Sequence, residues 1–220
     1  MRTIWSIAQR YETLLQVNHA ALTRSTPQEV FAGMCGSLKR VLAYDRAGLM
    51  LYEPEEDNLK VAALDGSLPD SYFRIGVRIS RKESPHGLAF ERQSAIIRQD
   101  VEKEAEFEIE ARTVSEGLHS YCAVPLVVRG SSIGVVTMLS FRAKQYGERH
   151  AGLLQEACNQ IALALKSFMF YCTEHQRTSL ICPRCIGSSG GQKTAARYHE
   201  QLSSWGKRGG RGKKKPPMAG

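Results

Sequence analysis

The stretch Leu118–Leu165, LHSYCAVPLVVRGSSIGVVTMLSFRAKQYGERHAGLLQEACNQIALAL, decides the fold, because strand, turn, strand and helix follow one another in it almost without gaps. Two runs rich in apolar and β-branched residues, Tyr121–Val128 and Ile133–Phe141, flank the tetrad Arg129-Gly130-Ser131-Ser132. A short Gly-bearing loop between two such runs predicts a β-hairpin. After Phe141 the period changes. Leu153, Ala157, Ile161 and Leu165 recur every four residues, beside Leu154, Ala164 and Phe168, which marks the apolar face of a helix.

Working back from there, Ile4, Ile7, Ala8, Tyr11, Leu14 and Leu15 follow helical spacing and predict a first helix to about Leu22. Thr26 as N-cap, Pro27 at the first helical position and Glu29 at the capping-box position open a second, running through Phe31, Met34 and Leu38 to Leu42. Strands are expected at Ala47–Tyr52, Leu59–Leu64, Val77–Ile79 and Ala95–Arg98. Ser84-Pro85 opens a short helix, His86–Glu91, and the acid-rich Val101–Gly117 reads as a surface helix. This order predicts an α+β fold with a largely antiparallel central sheet and flanking helices.

The hairpin and helix resemble the end of a GAF domain. Val124, Pro125, Leu126, Gly130, Ile133, Gly134 and Ser140 stand at the spacing of that family, followed by Tyr146, Glu148, Arg149, Leu153, Leu154, Gln160, Ile161, Ala162 and Ala164. Ala43-Tyr44-Asp45-Arg46 is a second point of agreement. The resemblance covers roughly residues 10–168 and implies a GAF/PAS-like arrangement, with helices on one sheet face and a small-molecule pocket on the other. It places Tyr121, Ala123, Thr137 and the loop from Asp70 to Phe73 as candidate pocket residues, each equally readable as core. Gly130 and Gly134 are explained by a turn and by close packing, and Pro125 by an edge or bend.

Chemistry is less legible. His119 and Cys122 are three apart on a strand and point to opposite faces, which argues against a nucleophile pair there. Some GAF proteins reduce methionine sulfoxide with cysteines, but the acidic pattern of those enzymes is replaced here by Thr137-Met138-Leu139-Ser140. The Cys-His pair that anchors bilins and the cyclic-nucleotide signature are absent. Asp100 and Tyr121 fall near positions that bind iron in a subset of the family, without a complete ligand set. P-loop, kinase and helix-turn-helix motifs are missing. The resemblance therefore implies a cytoplasmic sensing or regulatory module that is not an enzyme. The alternatives are a nucleic-acid-associated regulator and a cysteine-dependent enzyme such as a methionine sulfoxide reductase. First and last helices often pair across a two-fold axis in such proteins. The apolar face running on through Phe168, Met169 and Phe170 is accordingly expected to meet a second copy, giving a homodimer.

The net charge of +8 is unevenly placed. Residues 1–170 hold 20 basic and 20 acidic residues, whereas residues 171–220 hold 10 basic residues against Glu174 and Glu200. A neutral body, residues 1–170, therefore carries a basic, Gly-rich, low-complexity tail, residues 171–220. Hydrophobic residues at 42% supply a core, and no run approaches the ~20 apolar residues of a membrane span. The N-terminus is read as lacking a signal peptide, and Cys35, Cys122 and Cys158 sit in apolar runs as small core residues do. In the tail, Cys172 and His175 precede Cys182 and Cys185, four ligands of the kind a structural zinc ion takes. The same residues read equally as inert thiols, and the second pair as a redox couple. Gly-Gly-basic elements near Tyr198 and Trp205 can contact nucleic acid by charge and stacking, or serve as a solvated extension.

Overall fold

The computed structural model describes residues 6–172 and 177–179 of the chain. In order they form α1 (Ile7–Thr23), α2 (Pro27–Leu38), β1 (Arg46–Glu53), β2 (Asn58–Asp65), β3 (Arg78–Ser80), α3 (Pro85–Arg92), β4 (Ile96–Arg98), α4 (Val101–Glu104), α5 (Glu108–Ser115), β5 (Ser120–Val128), β6 (Ser131–Ser140) and α6 (Glu148–Phe168). A small antiparallel pair, β7 (Phe170–Cys172) and β8 (Arg177–Ser179), follows. The main sheet has six strands in the order β3-β2-β1-β6-β5-β4, and every neighbouring pair is antiparallel. The α+β architecture expected from the pattern is the one observed.

The hairpin is tighter than the four-residue loop expected. Arg129 and Gly130 alone make the turn, both with positive φ (52° and 77°), as in the type I′ turns whose twist matches that of the strands. Gly134 serves a different need: a Cβ there would stand 2.3 Å from the Met50 carbonyl oxygen, so β1 and β6 approach this closely only at a glycine. Pro125 lies past the end of β4, which pairs only with Tyr121, Cys122 and Ala123, so β5 has an edge at the proline.

Strand alternation divides the core into two clusters. Ala47, Leu49 and Leu51 of β1, Cys122, Val124 and Leu126 of β5, and Val136 and Met138 of β6 face α2 and α6. Into this layer α6 sends Leu153, Leu154, Ala157, Ile161 and Leu165, all buried. Each fully buried Leu or Ile contributes about 1.5–3 kcal/mol, which is why α6 anchors this side. Met50, Leu59, Val61, Tyr121, Ala123 and Val135 face the other way, under α3 and the segment around α5.

Local signals explain the helix starts. Thr26 Oγ1 accepts from the Glu29 amide, with Pro27 in the first turn. The Glu29 carboxylate takes the Ser25 amide, one residue before the cap, so the box expected at Thr26 is displaced by one. Ser84 caps α3 by accepting from the Gly87 amide.

Three expectations are corrected. The second helix ends at Leu38 rather than Leu42. Val101–Gly117 is not one surface helix but two short ones, and Glu110 and Thr113 of α5 are buried because this segment covers the outer sheet face. The apolar face of α6 does not run on to Phe170: the helix stops at Phe168 and Met169 is extended. Leu165 is fully buried, and Phe168 and Met169 pack against the same chain's core, so these residues are no free helical surface. Exposed apolar residues cluster instead on α1, at Ile7, Tyr11, Leu15 and Leu22, with Leu163 on α6 and Tyr72, Ile75 and Phe141 in loops.

Candidate functional site

The residues Ala43-Tyr44-Asp45-Arg46 set the entrance to β1. The Tyr44 hydroxyl donates to Asp65 Oδ2 (2.9 Å), and Asp45 Oδ2 accepts from Ser140 Oγ (2.7 Å) and the Phe141 amide (2.8 Å), locking the start of β1 to the end of β6. Arg46, next in the alternation, then turns to the outer sheet face with Gly48 and Met50. It lines a cavity between that face, α3, α5 and the loop carrying Phe73. The cavity offers about 20 Å³, more than the ~10–15 Å³ needed by one water molecule. Its walls are apolar at Met50, Val61, Leu64, Phe73, Leu118 and Leu139, and polar at Arg46, His86, Glu110 and Tyr121.

Glu110 is 1% exposed, yet its charge is well served. Oε1 accepts from the Tyr121 hydroxyl (2.5 Å) and Arg98 Nε (3.1 Å), and Oε2 from the amides of Glu106 (2.7 Å) and Phe107 (2.9 Å). Burial alone would raise its pKa, but these four donors together hold it below the ordinary carboxylate value. Burial, then the Glu110 carboxylate, push the Tyr121 phenol well above its usual value. His86, its ring stacked on that of Tyr121 at 6.4 Å, is pulled down to about 4 by burial, against the opposing pull of Glu110. It is a neutral imidazole at physiological pH, and its Nδ1 has no hydrogen-bond partner.

Arg46 is 5% exposed and less well served. One terminal nitrogen donates to the Phe73 carbonyl, whereas Nε and Nη1 have no hydrogen-bond partner. Nη1 stands 3.7 Å from Glu116 Oε2, beyond hydrogen-bond length. Glu116 is turned to the loop, where Oε1 accepts from the Tyr72 amide (2.6 Å) and both oxygens accept from Ser71 Oγ (2.9 and 2.8 Å).

Of the four candidate pocket residues, Tyr121 and Phe73 line the cavity. Ala123 lies in the core cluster of the same face. Thr137, its cross-strand partner, is fully buried with an unpaired hydroxyl. Arg46, His86, Glu110 and Glu116 were not among the candidates. Arg46 carried a usable signal, a cation in phase with the inward positions Gly48 and Met50. Glu110 is one of many acids between Glu102 and Glu116, and nothing in the pattern singles it out.

Cys35, Cys122 and Cys158 belong to the helical layer, on the opposite side of the sheet from the cavity. Burial pushes the thiols of Cys35 and Cys122 up to about 12, and that of Cys158 well above its ordinary value. Asp100 pairs with Lys103, and the Tyr121 hydroxyl is committed to Glu110. Among the described residues no group of three or more His, Cys, Asp or Glu side chains could hold a metal ion. Of the zinc candidates, Cys172 closes β7, while His175, Cys182 and Cys185 lie outside the described residues, as does nearly all of the basic tail. No helix among the described residues is long and apolar enough to cross a membrane.

A six-stranded antiparallel sheet with helices on one face and a capped cavity on the other defines the class, and the family comparison agrees. Residues 24–166 match the family model for the GAF domain, and the chain belongs to that family. Among solved structures it is similar to the GAF domain of an Acinetobacter phosphoenolpyruvate-protein phosphotransferase, with 18% identity over 74% of this chain and 96% of that one, and a TM-score of 0.61. It is similar to free methionine-R-sulfoxide reductase from Neisseria meningitidis in complex with its substrate, with 20% identity over 76% and 95% of the two chains and a TM-score of 0.61. The GAF domain of a two-component sensor histidine kinase from Bacillus halodurans gives 16% identity, 66% and 96% coverage, and a TM-score of 0.58. No curated protein matches the chain in sequence. At these identities the structural likenesses establish the fold.

Proposed function

We propose that this chain is a regulatory GAF module that binds a small molecule in the cavity beneath α5 and has no catalytic role of its own. The observation that carries this reading is the cavity itself: apolar walls enclose buried polar groups, at Arg46 and His86, whose hydrogen-bonding capacity is not met from within. Such groups are costly to bury unpaired, and a bound molecule repays that cost. The cysteine-dependent alternative draws support from the reductases among the fold's neighbours. It is disfavoured because Cys35, Cys122 and Cys158 face away from the cavity and their thiols are held protonated.

The test is occupancy. Gly48 lines the cavity, and a Cβ placed there meets only the side-chain ends of Leu64 at 3.4 Å and Met50 at 3.8 Å, so Gly48→Val sets its added atoms against the cavity wall. Native mass spectrometry of the wild-type protein is expected to show a retained small molecule or saturable binding from a metabolite panel, and Gly48→Val to lose it while remaining folded. Equal binding by both proteins would place the ligand elsewhere and end this reading.

The same module is proposed to act as a homodimer, through the stripe of Ile7, Tyr11 and Leu15 on α1, exposed at 77%, 66% and 68%. Side chains of this kind leave water only when a partner covers them.

A further inference from the structure

The cavity by itself is too small for the molecule proposed above, since about 20 Å³ admits a water molecule or two. Along the exposed residues of α5, however, runs an open groove of about 720 Å³, within the range of small-molecule sites. Two elements separate these spaces, and each sets some side chains to one and some to the other. In the loop, Phe73 lines the cavity and Tyr72 the groove. On α5, Glu110 and Thr113 line the cavity, whereas Glu108, Ala111 and Arg112 line the groove. Ile109 alone among the described residues lines both. It is half-buried and packs against the outer core cluster, so its side chain stands in the gap between the two spaces.

The attachments around Ile109 are largely polar. Glu110 is bonded to Tyr121 and Arg98 on the sheet, and Glu116 to Ser71 and the Tyr72 amide. The Arg112 guanidinium lies 4.4 Å from the centre of the Tyr72 ring. The helix α5 spans eight residues and α4 before it four, lengths at which a helix keeps its place through its attachments and not through its own hydrogen bonds. Elements held in this way belong to the low-stability end of a domain, from which lids are drawn. A β-branched side chain on a helix has little freedom at χ1. Ile109 therefore clears the gap by moving with the first turn of α5, against the Tyr121–Glu110 bond, and not by turning alone.

We infer that Ile109 is the door of a two-chamber pocket: a small molecule enters from the groove lined by Tyr72, Lys82 and Phe107, and outward movement of Ile109 joins groove and cavity into one site. This rests on the small-molecule reading above and adds the route by which the inner chamber is reached. Closed, the door keeps Arg46 and His86 nearly out of solvent. Open, these two residues form the inner end of a pocket of ligand size.

The door can be read without any ligand. His86 lines the cavity and is buried, and exchange of its ring C2 hydrogen for deuterium, followed by mass spectrometry of the full-length protein in D2O, reports how readily solvent reaches it. Ile109→Ala takes away the partition and is expected to quicken this exchange about tenfold, while His150 of α6 keeps its wild-type rate. Ile109→Leu keeps the partition and is expected to exchange like wild type. Val114→Ala removes packing from the same helix, but Val114 lines neither space, so it separates a door from a loosened helix and is expected to leave His86 unchanged. Should Ile109→Ala not fold, Ile109→Val takes its place, with a smaller quickening of the same sign. Equal quickening in the Ile109 and Val114 variants would show that looseness of α5 governs access, and an unchanged rate without the Ile109 side chain would show that the wall lies elsewhere. Either result overturns the inference and leaves the small-molecule reading to be judged by binding to Gly48→Val.

Discussion

Tyr121 and Glu110 are joined across the cavity: the phenol near the start of β5 donates to Glu110 Oε1 on α5 at 2.5 Å, tying the covering helix to the sheet. Ile109 and Val114 of the short α5 pack partly against the outer cluster, while its fully buried residues are polar, Glu110 and Thr113. The position of the cover therefore depends on this polar link as well as on packing.

Removing the link is expected to loosen the cover. Tyr121→Phe deprives a buried carboxylate of one of four donors and should cost about 1–3 kcal/mol in urea denaturation. Glu110→Ala should cost more, about 3–5 kcal/mol, because Arg98 is left buried without its main partner. Hydrogen exchange should quicken at the amides of α5 before those of α6. Uniform exchange in Tyr121→Phe would show that the bond does not hold the helix.

Acid should destabilise the domain through His86. Its folded pKa of about 4 lies below the ordinary 6.5, so between these values the unfolded chain binds a proton that the folded chain refuses. Stability is thus complete above pH 6.5 and falls toward pH 4, by up to about 1.4 kcal/mol per pH unit. His150, which burial also lowers, acts in the same direction. Glu110 adds its loss only lower, as pH falls below its unfolded value near 4.5 and on through its depressed folded pKa. His86→Gln should flatten most of the slope between pH 6.5 and 4.5. An unaltered slope would assign the acid sensitivity to other groups.

Two glycines give opposite expectations. Gly134→Ala sets a methyl group against the Met50 carbonyl at 2.3 Å and must push β1 from β6, so a loss of several kcal/mol or failure to fold is expected. Gly152 of α6 has nothing within 4 Å of its missing Cβ, and Gly152→Ala should stabilise by ~1 kcal/mol. Thermal denaturation of both variants checks the pair. A neutral Gly134→Ala would mean that the strands yield there without cost.

Much of the fold was legible because its signals are periodic. The alternation of Cys122, Val124 and Leu126 against Tyr121 and Ala123, and the four-residue recurrence from Leu153 to Leu165, are set by strand and helix geometry. The site was less legible because its polar residues are single and far apart in the chain. Arg46 and Glu116 meet only when the segment from Glu108 to Ser115 folds over the sheet, and a long run of acids conceals which of them is buried. The end of α6 misled for a related reason: apolar residues at Phe168 and Met169 do not say whether a partner or the chain's own core covers them.

Self-association is expected to depend on α1 rather than on the end of α6. Ile7, Tyr11, Leu15 and Leu22 fall within a stripe roughly 80° wide on a 3.6-residue helix, while Val17, Ala20 and Ala21 are buried on the other side. The helix thus carries apolar residues on two faces, and the chain's own core covers one. Arg10 of α1 pairs with Glu156 of α6, so both helices present their outer sides to the same solvent region. Tyr11→Glu and Leu15→Glu should leave the thermal midpoint of the isolated fold nearly unchanged and convert a dimer to a monomer in sedimentation equilibrium. Leu165→Asp should act differently, unfolding the domain, since Leu165 is fully buried in the core. Wild-type protein sedimenting as a monomer at tens of micromolar would remove the dimer, and the exposed stripe on α1 would then need another partner.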